Sequence, residues 1–328
     1  MGETSKISWT HATFNPWLGC TKVSSACTHC YAEVSTPVRR ARAGGLELWG
    51  DKAARSVTSD SYWKQPHRWN AAAVSEGVRR RVFCSSLADV FEDRRDVDVH
   101  RARLWSLIEL TPALDWLLLT KRPEAVNRLA SQSWANNGWP ANVWLGTTVE
   151  NQQAADERIP HLLAVPARLR FLSIEPMLGP IHLPIKALTR ICSACGAAFF
   201  IGGPESSSPC PAHEPESRGC KGTVRRGIDW VIVGGESGPH ARSMHIGWAR
   251  SVKEQCQATG TKVFVKQLGA KPIAESRFDM TAEQFRDLDA NSWDENHGPV
   301  VLRTSHRKGG DMEEWADDLR VQEVPEVR

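Results

Sequence analysis

Six short apolar runs, separated by stretches with helical periodicity, restrict this chain to a small set of folds. They are RVFCSS (81–86), DWLLLT (115–120), NVWLGTTV (142–149), LRFLSI (169–174), DWVIVGG (229–235) and KVFVKQ (262–267). A strand that is apolar on both faces must be covered on both, as strands of a parallel sheet are when helices pack against it. Between runs the period becomes that of a helix. In HIGWARSVKEQCQATG, Trp248, Val252 and Cys256 recur every four residues, and Gly260 follows as the expected C-terminal stop. The alternation predicts an α/β fold of βα units around a parallel sheet.

With 328 residues, the chain has room for one large α/β barrel or for two ordinary domains. Its 41% hydrophobic and 24% charged residues belong to a globular protein with a sizeable core. The formal net charge of +3 gives no argument for a polyanionic partner. No run of eighteen apolar residues is present and the opening MGETSKISWT lacks a signal core, so a cytoplasmic protein with no membrane partner is expected. The expected organisation is an α/β body of residues 1–190 and 228–277, an inserted segment at 191–227 that is rich in Gly, Pro and Ser, and a C-terminal extension at 278–328. In that extension FDMTAEQFRDLDANSWDE reads as a short helix and turn, and DMEEWADDL as a helix.

Nine cysteines in such a chain point to metal or redox chemistry before disulfides. Cys84 and Cys256 stand alone in apolar periodic segments and read as buried free thiols. GCTKVSSACTHCYAE places Cys20, Cys27 and Cys30 in the spacing C-x6-C-x2-C. A saturated structural site wants four protein ligands, whereas three thiolates on a cubane leave one iron open to substrate or cofactor. The competing readings are a zinc site completed by His29 or His11, and a redox CxxC pair.

In parallel α/β folds the functional site is assembled from loops at the carboxyl ends of the strands. Polar residues follow nearly every run: Ser85, Ser86 and Asp89; Thr120, Lys121 and Arg122; Thr147, Thr148, Glu150 and Asn151; Glu175; Gly234, Gly235, Glu236 and Ser237; Lys266 and Gln267. Any one of them is explained by a strand end meeting water. Their number is that of a large polar pocket.

The opening ISWTHATFNPWLGCTKVSSACTHCYAE, continued by FCSSLADVFED, LLLTKRPE, VWLGTTVEN, FLSIEPMLGPI, IDWVIVGGESGPHARSMH and VFVKQLG, resembles a phage-associated, radical-SAM-like family of unknown function with a three-cysteine motif. The resemblance covers roughly residues 7 to 270. It implies a full or partial TIM-type (β/α) barrel and a 4Fe-4S cluster on Cys20, Cys27 and Cys30. It further implies reductive cleavage of S-adenosylmethionine (SAM) at the cluster's open iron, fed by an external electron donor. The cysteine spacing departs from the CxxxCxxC usual in the radical SAM superfamily by three residues, so the geometry of the loop differs.

By the same resemblance Ser86 and Asp89 are candidates for the SAM amino group. Lys121, Arg122 and Lys266, as cations that pair readily with carboxylate and phosphate, are candidates for its carboxylate or for an anionic substrate group, with charged groups on a solvated rim the alternative. Thr148, Glu150, Asn151 and Glu175 join them as candidate cofactor-binding residues. The glycines of GGES, Gly234 and Gly235, would let backbone approach a ligand, and Glu236 could bind a ribose or substrate hydroxyl; a plain tight turn is the alternative. No catalytic side chain is assigned.

Cys192, Cys195, Cys210 and Cys220 have the make-up of a zinc ribbon, with His213 an alternative fourth ligand and an auxiliary iron-sulfur cluster a third option. So little apolar content hardly folds without a metal or a staple. Fourteen tryptophans against two tyrosines raise stacking on a base as a role for Trp9, Trp17 and Trp63, with core packing the plainer reading. Two functions follow as expectations. One is a radical SAM-type enzyme on an unknown substrate, a nucleotide or nucleic acid among the candidates; the other is a non-catalytic zinc-binding module for nucleic acid or protein.

Overall fold

The computed structural model describes residues 5–192, 198–199, 224–225, 227–281, 284 and 299–326. Seven strands form one sheet and lie side by side in chain order: β1 (Ala12–Thr13), β2 (Arg80–Cys84), β3 (Leu114–Thr120), β4 (Val143–Thr148), β5 (Leu169–Ile174), β6 (Trp230–Gly234) and β7 (Lys262–Gln267). Pairing is parallel between β1 and β2, β2 and β3, β3 and β4, β5 and β6, and β6 and β7. A sheet built in sequence order is the simplest product of repeated βα units, since each new strand lies beside the last.

Six of these strands are the apolar runs, and every residue of β4, β5 and β6 is buried, as strands covered on both faces must be. The seventh, β1, has two residues, too few to show a period. Helices occupy the connections: α1 (Gln65–Glu76) after β1, α2 (Asp98–Glu109) after β2, α3 (Gln132–Asn137) after β3, α4 (Gln152–Leu163) after β4 and α5 (Ile246–Thr259) after β6. As expected, Val252 and Cys256 lie on the buried face of α5, and Gly260 ends it at φ +71°. Trp248 is only half-buried and stacks on His245 at 4.4 Å.

The chain divides into two compact units, Met1–Thr148 with Pro160–Leu169, and Val149–Ile159 with Arg170–Arg328. In the first, Phe14 stacks on Tyr62 at 5.1 Å and meets the edges of Trp63 and Trp116. Trp9, Trp17 and Trp63 are all buried, so they serve packing. In the second, Trp230 packs against Phe171 and Phe264 at 6.0 and 6.1 Å. The outer edge of β7 is taken by antiparallel residues 321–323, through Val265 N–H to Val321 O at 2.8 Å and Glu323 N–H to Val263 O at 3.0 Å. The parallel series therefore ends at β7, with its edge covered.

In the extension, DMEEWADDL forms two 3-10 turns, Met312–Glu314 and Asp317–Leu319, in place of the expected helix. Tertiary contacts decide this. Trp315 is buried and donates its indole N–H to Gly309 O at 3.0 Å, while Arg250 and Lys253 of α5 draw in Asp318. A 3-10 turn at Arg277–Asp279 begins the FDMTAEQFRDLDANSWDE segment, most of which lies outside the described residues. Arg190–Cys192 pairs antiparallel with Ala198–Phe199 and with Val224–Arg225. Cys195, Cys210, Cys220 and His213 lie outside the described residues. Among the described residues no helix is long and apolar enough to cross a membrane.

Candidate functional site

The three N-terminal cysteines lie on the connection between β1 and α1, beyond the carboxyl end of β1. Cys20 follows Gly19, which bridges to Ala88 and holds φ +112°. A Cβ at Gly19 would come within 2.4 Å of Leu48 O, so only glycine admits this close approach. Cys27 ends the 3-10 turn Ser25–Cys27, with its N–H on Ser24 O at 3.0 Å. Cys30 packs against a small apolar cluster of Leu18, Ala32, Val38, Leu48 and Leu87. All three are free thiols, Cys27 buried and the others half-buried.

A buried polar network anchors this loop. Arg55 donates to both carboxylate oxygens of Glu92 at 2.8 and 2.7 Å, and also to Leu48 O, Ala53 O and Thr21 Oγ1. Asp89, in the loop after β2, accepts from Phe91 N–H, Thr120 Oγ1, Lys121 N–H and Arg122 Nη1, the last at 2.9 Å. Arg122, just past β3, also donates to Thr21 O at 2.7 Å and reaches Cys20 Sγ at 3.9 Å. Burial pushes the Cys20 thiol up to about 12, helped by the nearby Asp89 and Glu92 charges and opposed by Arg122. For Glu92 burial also acts upward, but the hydrogen bonds from Arg55 and Thr21 outweigh it and hold the carboxyl below its ordinary range.

The loop after β2 is tied to the same end of the sheet by Asn15. Its Oδ1 accepts from Ser85 Oγ at 3.0 Å and Leu87 N–H at 2.7 Å, and its Nδ2 donates to Ser86 Oγ at 3.1 Å. The exposed Tyr31, next to Cys30, donates its hydroxyl to Ser86 O at 3.1 Å. Ser86, Asp89, Arg122 and the cysteine loop are thus joined through a connected set of hydrogen bonds. Lys121 offers an ammonium with no bonding partner among the described residues. Thr148 is buried at the end of β4.

The second unit carries the remaining residues. Glu150 accepts from Arg158 of α4 at 2.8 Å, and Asn151 accepts from Ala154 N–H at 2.9 Å at the start of that helix, as an N-cap does. Glu175 pairs with Lys266 of β7 at 2.6 Å. Glu236 takes Arg242 on both oxygens, at 2.6 and 2.9 Å. A Cβ at Gly235 would meet Leu268 O at 2.3 Å, and one at Gly234 would meet Glu175 Oε1 at 2.8 Å. The close approach these glycines permit is to neighbouring protein groups.

Arg55, Glu92, Asn15, Arg158 and Arg242 were not singled out in the sequence. Two of them carried a readable signal, since Asn15 precedes Pro16 in a turn-like FNPW and Glu92 sits in the quoted FED beside apolar residues.

Three free sulfur donors on one loop have the chemistry of a thiolate-bound metal centre. A coordinating thiol is deprotonated outright, so a metal bound at Cys20 would have to overcome the burial that raises its thiol. Among the described residues no three His, Cys, Asp or Glu side chains gather closely enough to hold a single ion. A family model described as protein of unknown function (DUF5131) matches residues 4–297. Neither the curated proteins nor the solved structures contain a match.

Proposed function

Since the chain belongs to the DUF5131 family of proteins of unknown function, we propose from its free-thiol loop that it is a radical SAM-type enzyme. In this reading Cys20, Cys27 and Cys30 hold a 4Fe-4S cluster, and the sheet is the partial TIM-type barrel of such enzymes. The observation that carries the reading is the set of three uncrosslinked cysteines at the carboxyl end of β1, joined by hydrogen bonds to the ends of β2 and β3. A cubane takes each of three thiolates on a different iron and leaves the fourth iron open. When bound, the cluster and SAM would supply the electron transfer that cleaves the sulfonium.

The chain's own residues would bind and shield. Lys121, whose ammonium has no bonding partner among the described residues and whose backbone N–H is held by Asp89, is the candidate for the SAM carboxylate. Ser86, held by Asn15, is the candidate for the SAM amino group. Leu18, Leu48 and Leu87, packed behind Cys30, would keep water from the cluster. Cys192, Cys195, Cys210 and Cys220, or His213 in place of one, would hold a structural zinc. The substrate classes to try first are a nucleotide and a nucleic acid, and the enzyme would act in the cytoplasm with an external electron donor.

Anaerobic reconstitution tests this. The reading predicts brown protein with about four irons and four sulfides per chain beyond any zinc, and release of 5′-deoxyadenosine from SAM on reduction. Cys27→Ala should lose the iron and keep the zinc. Colourless wild-type protein with zinc at both cysteine sets would instead establish a zinc-binding interaction module.

A further inference from the structure

The placement of Arg122 supports a role that differs from holding the SAM carboxylate. Its guanidinium is buried and already directed: Nη1 donates to Asp89 at 2.9 Å and reaches Cys20 Sγ at 3.9 Å, and Nη2 donates to Thr21 O at 2.7 Å. Glu92 lies 3.8 Å away on the same side. Asp89 is fixed by three further donors, Phe91 N–H, Thr120 Oγ1 and Lys121 N–H, so it cannot turn away from Arg122. The Arg122 backbone N–H is bound to Thr120 Oγ1 at 2.9 Å. The result is a planar cation locked between a carboxylate and the first residues of the cysteine loop.

Resting on the cluster reading above, the geometry points to Arg122 as a positioning residue that fixes the Cys20 sulfur and raises the cluster's reduction potential through its N–H and its permanent charge. Hydrogen bonds to ligand sulfurs are among the protein's means of setting such potentials, as is charge nearby. A guanidinium stays protonated at any working pH, so its charge is constant. The one-electron reduced cluster is the more negative state, and a fixed cation at a ligand sulfur favours that state over the oxidised one. Asp89 and Glu92 act on Cys20 in the opposite sense, so removing Arg122 would leave their negative charge uncompensated beside the sulfur. Lys121, whose ammonium has no bonding partner among the described residues, is then the cation for an anionic ligand.

The test is a reductive titration of anaerobically reconstituted full-length protein, followed by electron paramagnetic resonance, for wild type, Arg122→Gln and Arg122→Lys. Iron and sulfide are counted in each sample first. Arg122→Gln is expected to retain cluster yet show a reduced-to-oxidised ratio about tenfold lower than wild type at a fixed potential, which is ~59 mV for one electron. Arg122→Lys keeps the charge but cannot serve Asp89, Thr21 and Cys20 together, so a smaller shift of the same sign is expected. It also provides a readable variant if glutamine beside a buried Asp89 fails to fold. A packing role alone would lower the melting temperature and leave the potential unchanged. Full cluster content with wild-type potentials in the folded variants overturns the inference while the cluster reading stands. Wild-type protein that takes up no iron overturns both.

Discussion

Glu92, with a side chain 5% exposed, accepts both guanidinium bonds of an Arg55 that is 1% exposed, and Arg55 in turn gathers the carbonyls of Leu48 and Ala53 around the cysteine loop. Removing one partner of such a pair leaves an uncompensated buried charge. Arg55→Ala should therefore cost about 3–5 kcal/mol of stability by chemical denaturation; a loss below about 1 kcal/mol would show the pair to be dispensable. The depressed Glu92 carboxyl also sets a pH dependence. A group held below its unfolded value of about 4.3 contributes stability above that pH, and the contribution is lost as pH falls through the folded value. Glu92→Gln should accordingly flatten the acid limb of the stability curve relative to wild type, and an unchanged limb would show that other carboxylates set it. Lys121 makes a different claim, about binding. Lys121→Ala should weaken SAM binding about tenfold at unchanged iron content, measured by equilibrium dialysis on reconstituted protein.

Among the elements, the close pair of β6 and β7 depends on glycine where the two strands end. Gly235→Ala drives a Cβ into Leu268 O, a backbone atom that can yield only by moving the chain. Gly77, at the C-terminal end of α1, has φ +67° and open space where its Cβ would lie. Gly77→Ala should cost about 1 kcal/mol from backbone conformation alone. Gly235→Ala should cost clearly more in the same denaturant assay, and equal losses would mean that the strand ends separate easily. The elements themselves were largely readable. The runs from DWLLLT to KVFVKQ stand at β3 through β7 because burial on both faces forces a continuous apolar sequence. The two residues of β1 carry no such pattern, and the turns around Trp315 follow from contacts with α5 that local propensity does not contain.

At the scale of the whole molecule, the strand ends show where sequence reading of a site stops. Position after an apolar run marks Asp89, Glu150, Glu175 and Glu236 as polar groups at carboxyl ends, and they are found there. Their partners Arg122, Arg158, Lys266 and Arg242 are chosen by tertiary structure, and three of these four pairs join residues more than seven positions apart. Asn151 likewise reads as a ligand in sequence and caps a helix in the structure. The cysteine spacing is local in the chain, and all three cysteines are free thiols on the connection that follows β1. Everything functional proposed for the chain therefore returns to that loop and to an iron left open for SAM. The most direct measurement is the electron paramagnetic resonance spectrum of the reduced, reconstituted protein with and without SAM. A reduced cubane signal whose g values and line shape change when SAM is added is the predicted result; a cubane signal indifferent to SAM, or no signal from protein that carries only zinc, would contradict the account.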